Sequence, residues 1–277
     1  PTLFTFLSSN IDFLPEIAKF RAARRVWARL MREKYNAKDP ASEKLRIFAF
    51  TAGSSLTAQQ SMNNVVRTSI EMMAAALGGI QTMHVSAFDE ALGVPTEEAA
   101  TLALRTQQVV AFETGVLDSP DPLAGSFELE RMTDALEKEI WDLLTEIEKR
   151  GGALECVNNG YFVNEISENS YKLTMAIESG AKKVVGVNAF QSESAPFKPF
   201  EINPKSESEQ VASVQAVRAK RDNQAVTTAL ANLLTAAKAG ENIVPTTIEA
   251  IKAYATVGEI VNELRKVYGK WQPTKIF

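Results

Sequence analysis

A chain of 277 residues with 45% apolar content can bury a core in one large domain or two smaller ones, and it holds no apolar run long enough to span a bilayer. Its 30 basic and 34 acidic residues leave a net charge of -4 with no basic block, which argues against a nucleic-acid surface. The single cysteine, Cys156, excludes an internal disulfide framework and fits a reducing, cytoplasmic compartment; no basic region precedes an apolar stretch at the N-terminus, so no secretory signal is expected.

Leu3 to Leu7 reads as a short strand, and Asn10 or Asp12 caps the helix that follows, with Pro15 tolerated in its first turn. That helix carries Ile17, Phe20, Ala23, Val26, Trp27, Leu30 and Met31 at helical spacing, with Arg21, Arg24, Arg25 and Arg29 on other faces. A strand over Leu45–Phe50 ends in Thr51-Ala52-Gly53-Ser54-Ser55, and a helix from about Thr57 to Leu77 is stopped by Gly78-Gly79. The strand Ile80–Val85 leads into the loop Ser86–Pro95, and Thr96 with Glu97 and Glu98 starts a helix ending near Gly115. Strands that end in small and polar residues, each followed by a helix, are the grammar of a (β/α) barrel, whose chemistry gathers at the C-terminal strand ends. Three parallel strands cannot close one.

After Asp118-Ser119-Pro120-Asp121-Pro122 the pattern turns helical. Phe127–Arg150 is amphipathic and halts at Gly151-Gly152; a further helix spans Asn164–Ser179, and Lys183–Val187 is a short strand or extended segment. Ala189–Pro204, with three prolines, reads as a linker, and two helices close the chain over Ser208–Ala239, with a break near Asp222, and Thr246–Tyr268. The expected organisation is a partial barrel over 1–117 and a mainly helical region over 118–277.

His84 is the only histidine, so no His-based metal cluster can be built from this chain. It stands at a strand's C-terminal end, where a barrel enzyme places functional groups, but beside Met83 and Val85 it also reads as a packed, hydrogen-bonded residue. Asp89 and Glu90 are either a carboxylate pair for acid–base work or a cap before Ala91-Leu92. Gly53-Ser54-Ser55 offers amides to a phosphate or cofactor without the full spacing of a phosphate loop. Asn63, Asn64 and Arg67 fall on one helix, where Asn is intrinsically unfavourable, which points to specific structural hydrogen bonds.

Taken together, Gly53-Ser54-Ser55-Leu56-Thr57-Ala58-Gln59-Gln60, Asn63-Asn64-Val65-Val66-Arg67-Thr68 and Phe88-Asp89-Glu90-Ala91-Leu92-Gly93-Val94-Pro95-Thr96 resemble the large subunit of methylmalonyl-CoA mutase and its relatives. So do Leu104-Arg105-Thr106-Gln107-Gln108, Asp121-Pro122-Leu123-Ala124-Gly125-Ser126, Val185-Gly186-Val187-Asn188 and Ala255-Thr256-Val257-Gly258-Glu259, in order along nearly the whole chain. Because nothing follows the last helix, the pattern is most similar to acyl-CoA mutases with a separate cobalamin-binding subunit.

The resemblance implies a fold: strands six to eight of a substrate-binding (β/α)8 barrel, followed by the helical region after it. It also implies partners: a chain supplying strands one to five, a cobalamin-binding small subunit, adenosylcobalamin and an acyl-CoA. The family's catalytic groups lie on earlier strands, so no catalytic residue carries over. Gly53, Glu90 and Ala91 match positions facing the cobalamin, and Phe50 stands where the family has a corrin-facing Gln. Gln81 and Thr82 match positions near the CoA chain, and His84 lies in the same run, here Met83-His84-Val85-Ser86. Phe48 replaces a family His, and Thr2 and Phe4 replace an Arg and a Ser expected near CoA. These polar-to-apolar changes leave three readings open: a mutase component active only with its partners, a non-catalytic structural subunit, or a CoA- or corrin-binding module without turnover.

Overall fold

The computed structural model describes residues 3–193 and 200–272. Thr2 and part of the linker expected over 189–204 lie outside them. The chain divides into two compact units, Pro1–Phe200 and Glu201–Phe277.

The first unit opens with strand β1 (Thr5–Ser9) and helix α1 (Phe13–Arg29), which runs on as a π-helical turn over Leu30–Lys34. Strand β2 (Ile47–Thr51), helix α2 (Asn63–Leu77), strand β3 (Thr82–His84) and helix α3 (Glu97–Glu113) follow. The strands form one parallel sheet in the order β1-β2-β3. Register runs from Thr5↔Ile47 to Ser9↔Thr51 and from Phe48↔Thr82 to Phe50↔His84. Two strands therefore start and end later than expected, and β3 is shorter at both ends. Ser9 and Thr51, read as loop for their polarity, are fully buried ladder residues, and Ala52 N–H donates to Ser9 O at 2.8 Å beyond them.

Side chains alternate across a strand, so this register sorts them onto two faces. Leu7, Ile47, Ala49 and Met83 pack against Phe20 of α1 and Ala75 of α2. Phe6, Ser8, Phe48, Phe50, Thr82 and His84 take the opposite face. Helix α2 lies close to α1 because Gly78 ends it: a Cβ there would stand 2.7 Å from the Phe20 ring. Its start differs from expectation. Residues 59–62 form a turn, with Gln60 at φ 48, and the helix begins only at Asn63.

Helix α4 (Phe127–Lys149) packs on α1, with Leu129 inserted beside Ile17, Ala18 and Ala74. The arginines spaced four apart on α1 meet its acidic stripe. Arg21 donates to Glu130 at 2.7 Å, to Asp121 and to Thr133; Arg25 reaches Asp134 at 2.6 Å, and Arg29 reaches Glu137 at 2.9 Å while lying over the Trp141 ring. Hydrogen bonding from Arg21 holds the Glu130 carboxyl at about 2, with help from the Gly125 N–H. Helices α5 (Ala153–Asn158), absent from the sequence reading, and α6 (Tyr161–Glu178) complete the unit. Cys156 is buried in α5. The segment over 183–187, expected as a short strand or an extended segment, forms no strand and carries an isolated bridge, Val185 to Ala189.

The second unit is helical: α7 (Ser206–Lys220), α8 (Asn223–Ala239), α9 (Val244–Lys252) and α10 (Val257–Tyr268). The break near Asp222 is present, because its carboxylate caps α8 by accepting from Gln224 and Ala225 N–H. The single helix expected over Thr246–Tyr268 is two. Tyr254 adopts φ 66, and Thr256 with Glu259 forms a capping box that restarts the helix. Arg221 forks onto Glu259 at 2.6 and 2.7 Å and pulls that carboxyl well below the usual range. Leu233, Ala250 and Ile260 form the small core.

Candidate functional site

Parallel strands place their C-terminal ends on one side, where the loops 10–12, 52–62 and 85–96 gather. Each loop is pinned by side chains whose polarity is satisfied locally. Thr51 Oγ1 accepts from Ser86 N–H at 2.8 Å and joins the ends of β2 and β3. Asn64, fully buried, donates to Thr57 O at 2.9 Å and Phe88 O at 2.8 Å and accepts from Thr57 N–H at 3.1 Å and Arg67 at 2.7 Å. One amide thus ties the loops after β2 and β3 together, the structural bonding that its unfavourable helix position implied. Arg67 extends the tie to Thr57 Oγ1 and Val185 O. Gly186, at φ 83, sits so close to Gln60 that a Cβ would lie 3.1 Å from its side chain. Asn188 closes the same segment by accepting from Val184 N–H and donating to Ile177 O and Lys182 O.

The carboxylates after β3 act on backbone. Asp89, almost fully buried, accepts from Thr96 N–H and Oγ–H, both at 2.9 Å, and so fixes the start of α3. Glu90 accepts from Ala87 N–H at 2.8 Å. The cap expected before Ala91-Leu92 is corrected accordingly, because residues 88–92 are turns and the helix being capped is α3. Glu90 and Ala91 are exposed.

Gly53 opens a short 3-10 turn over Gly53–Ser55 and is exposed, with nothing within 4 Å of the place its Cβ would occupy. Phe50 and His84 stand in register on the bare face of the sheet, both exposed. The packed, hydrogen-bonded reading of His84 does not hold in this chain. Thr82 is on that face beside Phe48, whose ring lies 5.1 Å from Phe6, itself 5.3 Å from Phe4. Gln81 is set apart at the opposite end of the sheet. Its amide accepts from Ile47 N–H at 2.7 Å and donates to Gly79 O at 3.1 Å. The structure thus brings Gly53, Glu90 and Ala91 to the strand-end loops, Phe50, Thr82 and His84 to one sheet face, and Gln81 to neither.

Beside the strand ends lies a cavity of about 510 Å³, lined among others by Asn10, Ser54, Thr57, Arg67, Lys182 and Val185. Beneath the Gly53–Ser55 turn, Glu71 is completely buried, and burial pushes its carboxyl up to about 7. The sequence reading passed over it, since one Glu in a helix carries no local mark. Among the described residues no group of three or more His, Cys, Asp or Glu is placed to hold a metal ion, and no helix is long and apolar enough to cross a membrane.

A sequence model of the methylmalonyl-CoA mutase family matches residues 1–270. The large subunit of 2-hydroxyisobutanoyl-CoA mutase from Aquincola tertiaricarbonis is 42% identical over 281 aligned residues, covering 100% of this chain and 50% of the relative. Methylmalonyl-CoA mutase of Escherichia coli is 37% identical, covering 98% of this chain and 38% of its own. The human mitochondrial methylmalonyl-CoA mutase is also 37% identical, covering 98% and 36%. This chain spans half or less of the length of these relatives.

Proposed function

The chain belongs to the methylmalonyl-CoA mutase family, and on that premise we propose that it is the C-terminal portion of the substrate-binding subunit of an adenosylcobalamin-dependent acyl-CoA mutase. In this reading β1, β2 and β3 are strands six to eight of a (β/α)8 barrel, a further chain contributes strands one to five, and a small subunit presents the cobalamin in the cytoplasm. The observation that carries the reading is the sheet. It is all parallel, with helices on one face, an exposed opposite face, and no further strand paired to either outer edge among the described residues. Parallel sheets are stable with both faces covered.

The strand-end residues fit a broad, flat ligand. Gly53 leaves open space above its backbone, Ala91 is small and exposed, and Glu90 keeps one carboxylate oxygen for a ligand amide or hydroxyl. These three would hold the cofactor's edge, with Phe50 beneath. When bound, adenosylcobalamin supplies the organic radical by homolysis of its cobalt–carbon bond, and the protein positions the acyl-CoA and excludes water. Thr82 and His84, on the bare face, would line the acyl-CoA path, while Gln81 acts there only through the backbone it bridges. Phe50 in place of an amide removes one polar contact to the corrin, a loss of about 1–3 kcal/mol.

Spectroscopic titration with adenosylcobalamin tests this, using the chain alone, with a family chain carrying strands one to five, and with the small subunit added. Binding and acyl-CoA turnover confined to the full complex is the expected result. Binding in no complex would instead favour a structural subunit, the second reading, which the aromatic contact between Phe6 and Phe48 supports. Binding by the isolated chain without turnover would make it a binding module.

A further inference from the structure

Glu71 sits on the inner side of α2 with no exposed surface, and neither carboxylate oxygen has a hydrogen-bond partner among the described residues. Its surroundings explain why. The nearest donors, the Ser55 hydroxyl and the Ala52 N–H, are engaged elsewhere: Ser55 Oγ donates to Ala52 O at 2.9 Å, and Ala52 N–H donates to Ser9 O at 2.8 Å. The first braces the Gly53–Ser55 turn internally, beside the backbone bonds from Ser55 N–H to Ala52 O and Leu56 N–H to Gly53 O, and the second ties the start of the turn to the end of β1. From α1, the buried Glu16 faces Glu71, itself paired with Lys19. From its own helix, Arg67 is near, but its guanidinium is bound to Thr57, Asn64 and Val185. The charged residues of α3, Glu97, Glu98, Arg105 and Glu113, are exposed, and β1 contributes only Ser9, whose hydroxyl donates to the Glu71 backbone carbonyl at 2.7 Å.

A neutral carboxyl tolerates such a site, whereas a carboxylate needs donors. We propose that Glu71 is a positioning residue whose proton keeps the Gly53–Ser55 turn seated on the sheet, and whose ionisation draws the Ala52 N–H and Ser55 O–H away from Ser9 and Ala52 and releases the turn. Burial is the main cause that keeps the proton on to about 7; Ser55 and Ala52 oppose it in part, Glu16 reinforces it and Arg67 weakly opposes it. The sign follows: a carboxyl raised from 4.5 to about 7 favours the seated turn fully below 4.5, and that contribution is lost as pH rises through 7. The proposal stands on the turn's own hydrogen bonds and goes beyond the mutase reading, so neither fails with the other.

Hydrogen–deuterium exchange on the full chain, read over residues 50–57 and corrected for the intrinsic pH dependence of exchange, tests it. The expected result is that opening of this segment increases about tenfold between pH 6 and pH 8, as the protonated fraction of one group near 7 falls about tenfold. Glu71→Gln, neutral at every pH, flattens that profile, while segments in α4 keep theirs unchanged. If Glu71→Gln does not fold, Ser55→Ala serves, because removing a donor that favours the carboxylate shifts the midpoint upward. A flat profile in the unaltered chain, the same slope in Glu71→Gln, or an unmoved midpoint in Ser55→Ala overturns the proposal.

Discussion

The two faces of the three-stranded sheet come from alternate residues of the same strands, yet they meet opposite fates. Toward the helices, Phe20, Ile47, Ala49 and Ala75 have no exposed surface, and residues from β1, β3 and the segment before β2 close around them. Away from them, Phe4 and Phe6 each remain 59% exposed although their rings touch and Phe6 also meets Phe48, and Phe50 remains 36% exposed. Each face carries bulky apolar side chains, so the presence of apolar residues alone does not decide which face is covered. What separates them is the supply of covering polypeptide: α1 and α2 lie next in sequence and cover one side, while the proposed completing strands would cover the other.

Substitutions sharpen that contrast. Phe20→Ala empties the centre of the covered face and should cost about 3–5 kcal/mol in urea unfolding of the full chain. A loss as small as that of an exposed residue would break the comparison at its stronger side. Arg21→Ala should cost less than Phe20→Ala, because it leaves buried Thr133 without its donor while Asp121 and Glu130, both partly exposed, turn to water. The same pair predicts an acid limb. Glu130 is depressed from 4.5 to about 2, so its contribution is complete above 4.5 and disappears as pH falls toward 2. Arg21→Ala should flatten that limb, and pH-dependent unfolding would expose any failure to do so.

Asn64→Ala removes the amide that joins the loops after β2 and β3, with the hydrogen bonds it makes to Thr57 and Phe88, a loss of about 2 kcal/mol. Glu90→Ala frees only the Ala87 N–H and should cost about 1 kcal/mol. Measured beside adenosylcobalamin affinity in the assembled complex, it separates two roles: affinity lost well beyond that cost supports the cofactor contact, and intact affinity leaves Glu90 as a turn brace. Smallest of all, Phe6→Ala should change the stability of the isolated chain by less than about 0.5 kcal/mol while weakening association with a chain carrying the missing strands. Equal, large losses in both settings would show that the bare face is already covered.

The legible parts of this molecule are those encoded over a few residues. Thr96 before two glutamates marks the start of α3, Gly78-Gly79 the end of α2, and Asp222 the cap of α8. Ser9 and Thr51 misled for the opposite reason: polarity suggested loop, but their hydroxyls find partners in Glu71 O and Ser86 N–H inside the fold. The capping box at Thr256 and Glu259 was available in the sequence, and the break it marks was hidden by apolar periodicity continuing across it. Of the candidate site, Glu90, Ala91 and Gly53 were placed by motif. Asn64 was signalled by its poor helix propensity and by its place in a family motif, and Glu71 by nothing local.

By itself the sequence determined the family, the alternation of three strands with helices, and most helix ends, because caps, glycines and periodicity act within one or two turns. Tertiary structure alone decided which face of each strand is covered and that the α1 arginines serve α4, more than 100 residues away. It also decided that Glu71 loses every solvent contact. A side chain's chemistry states what environment it needs; only the folded chain determines which distant residue supplies it.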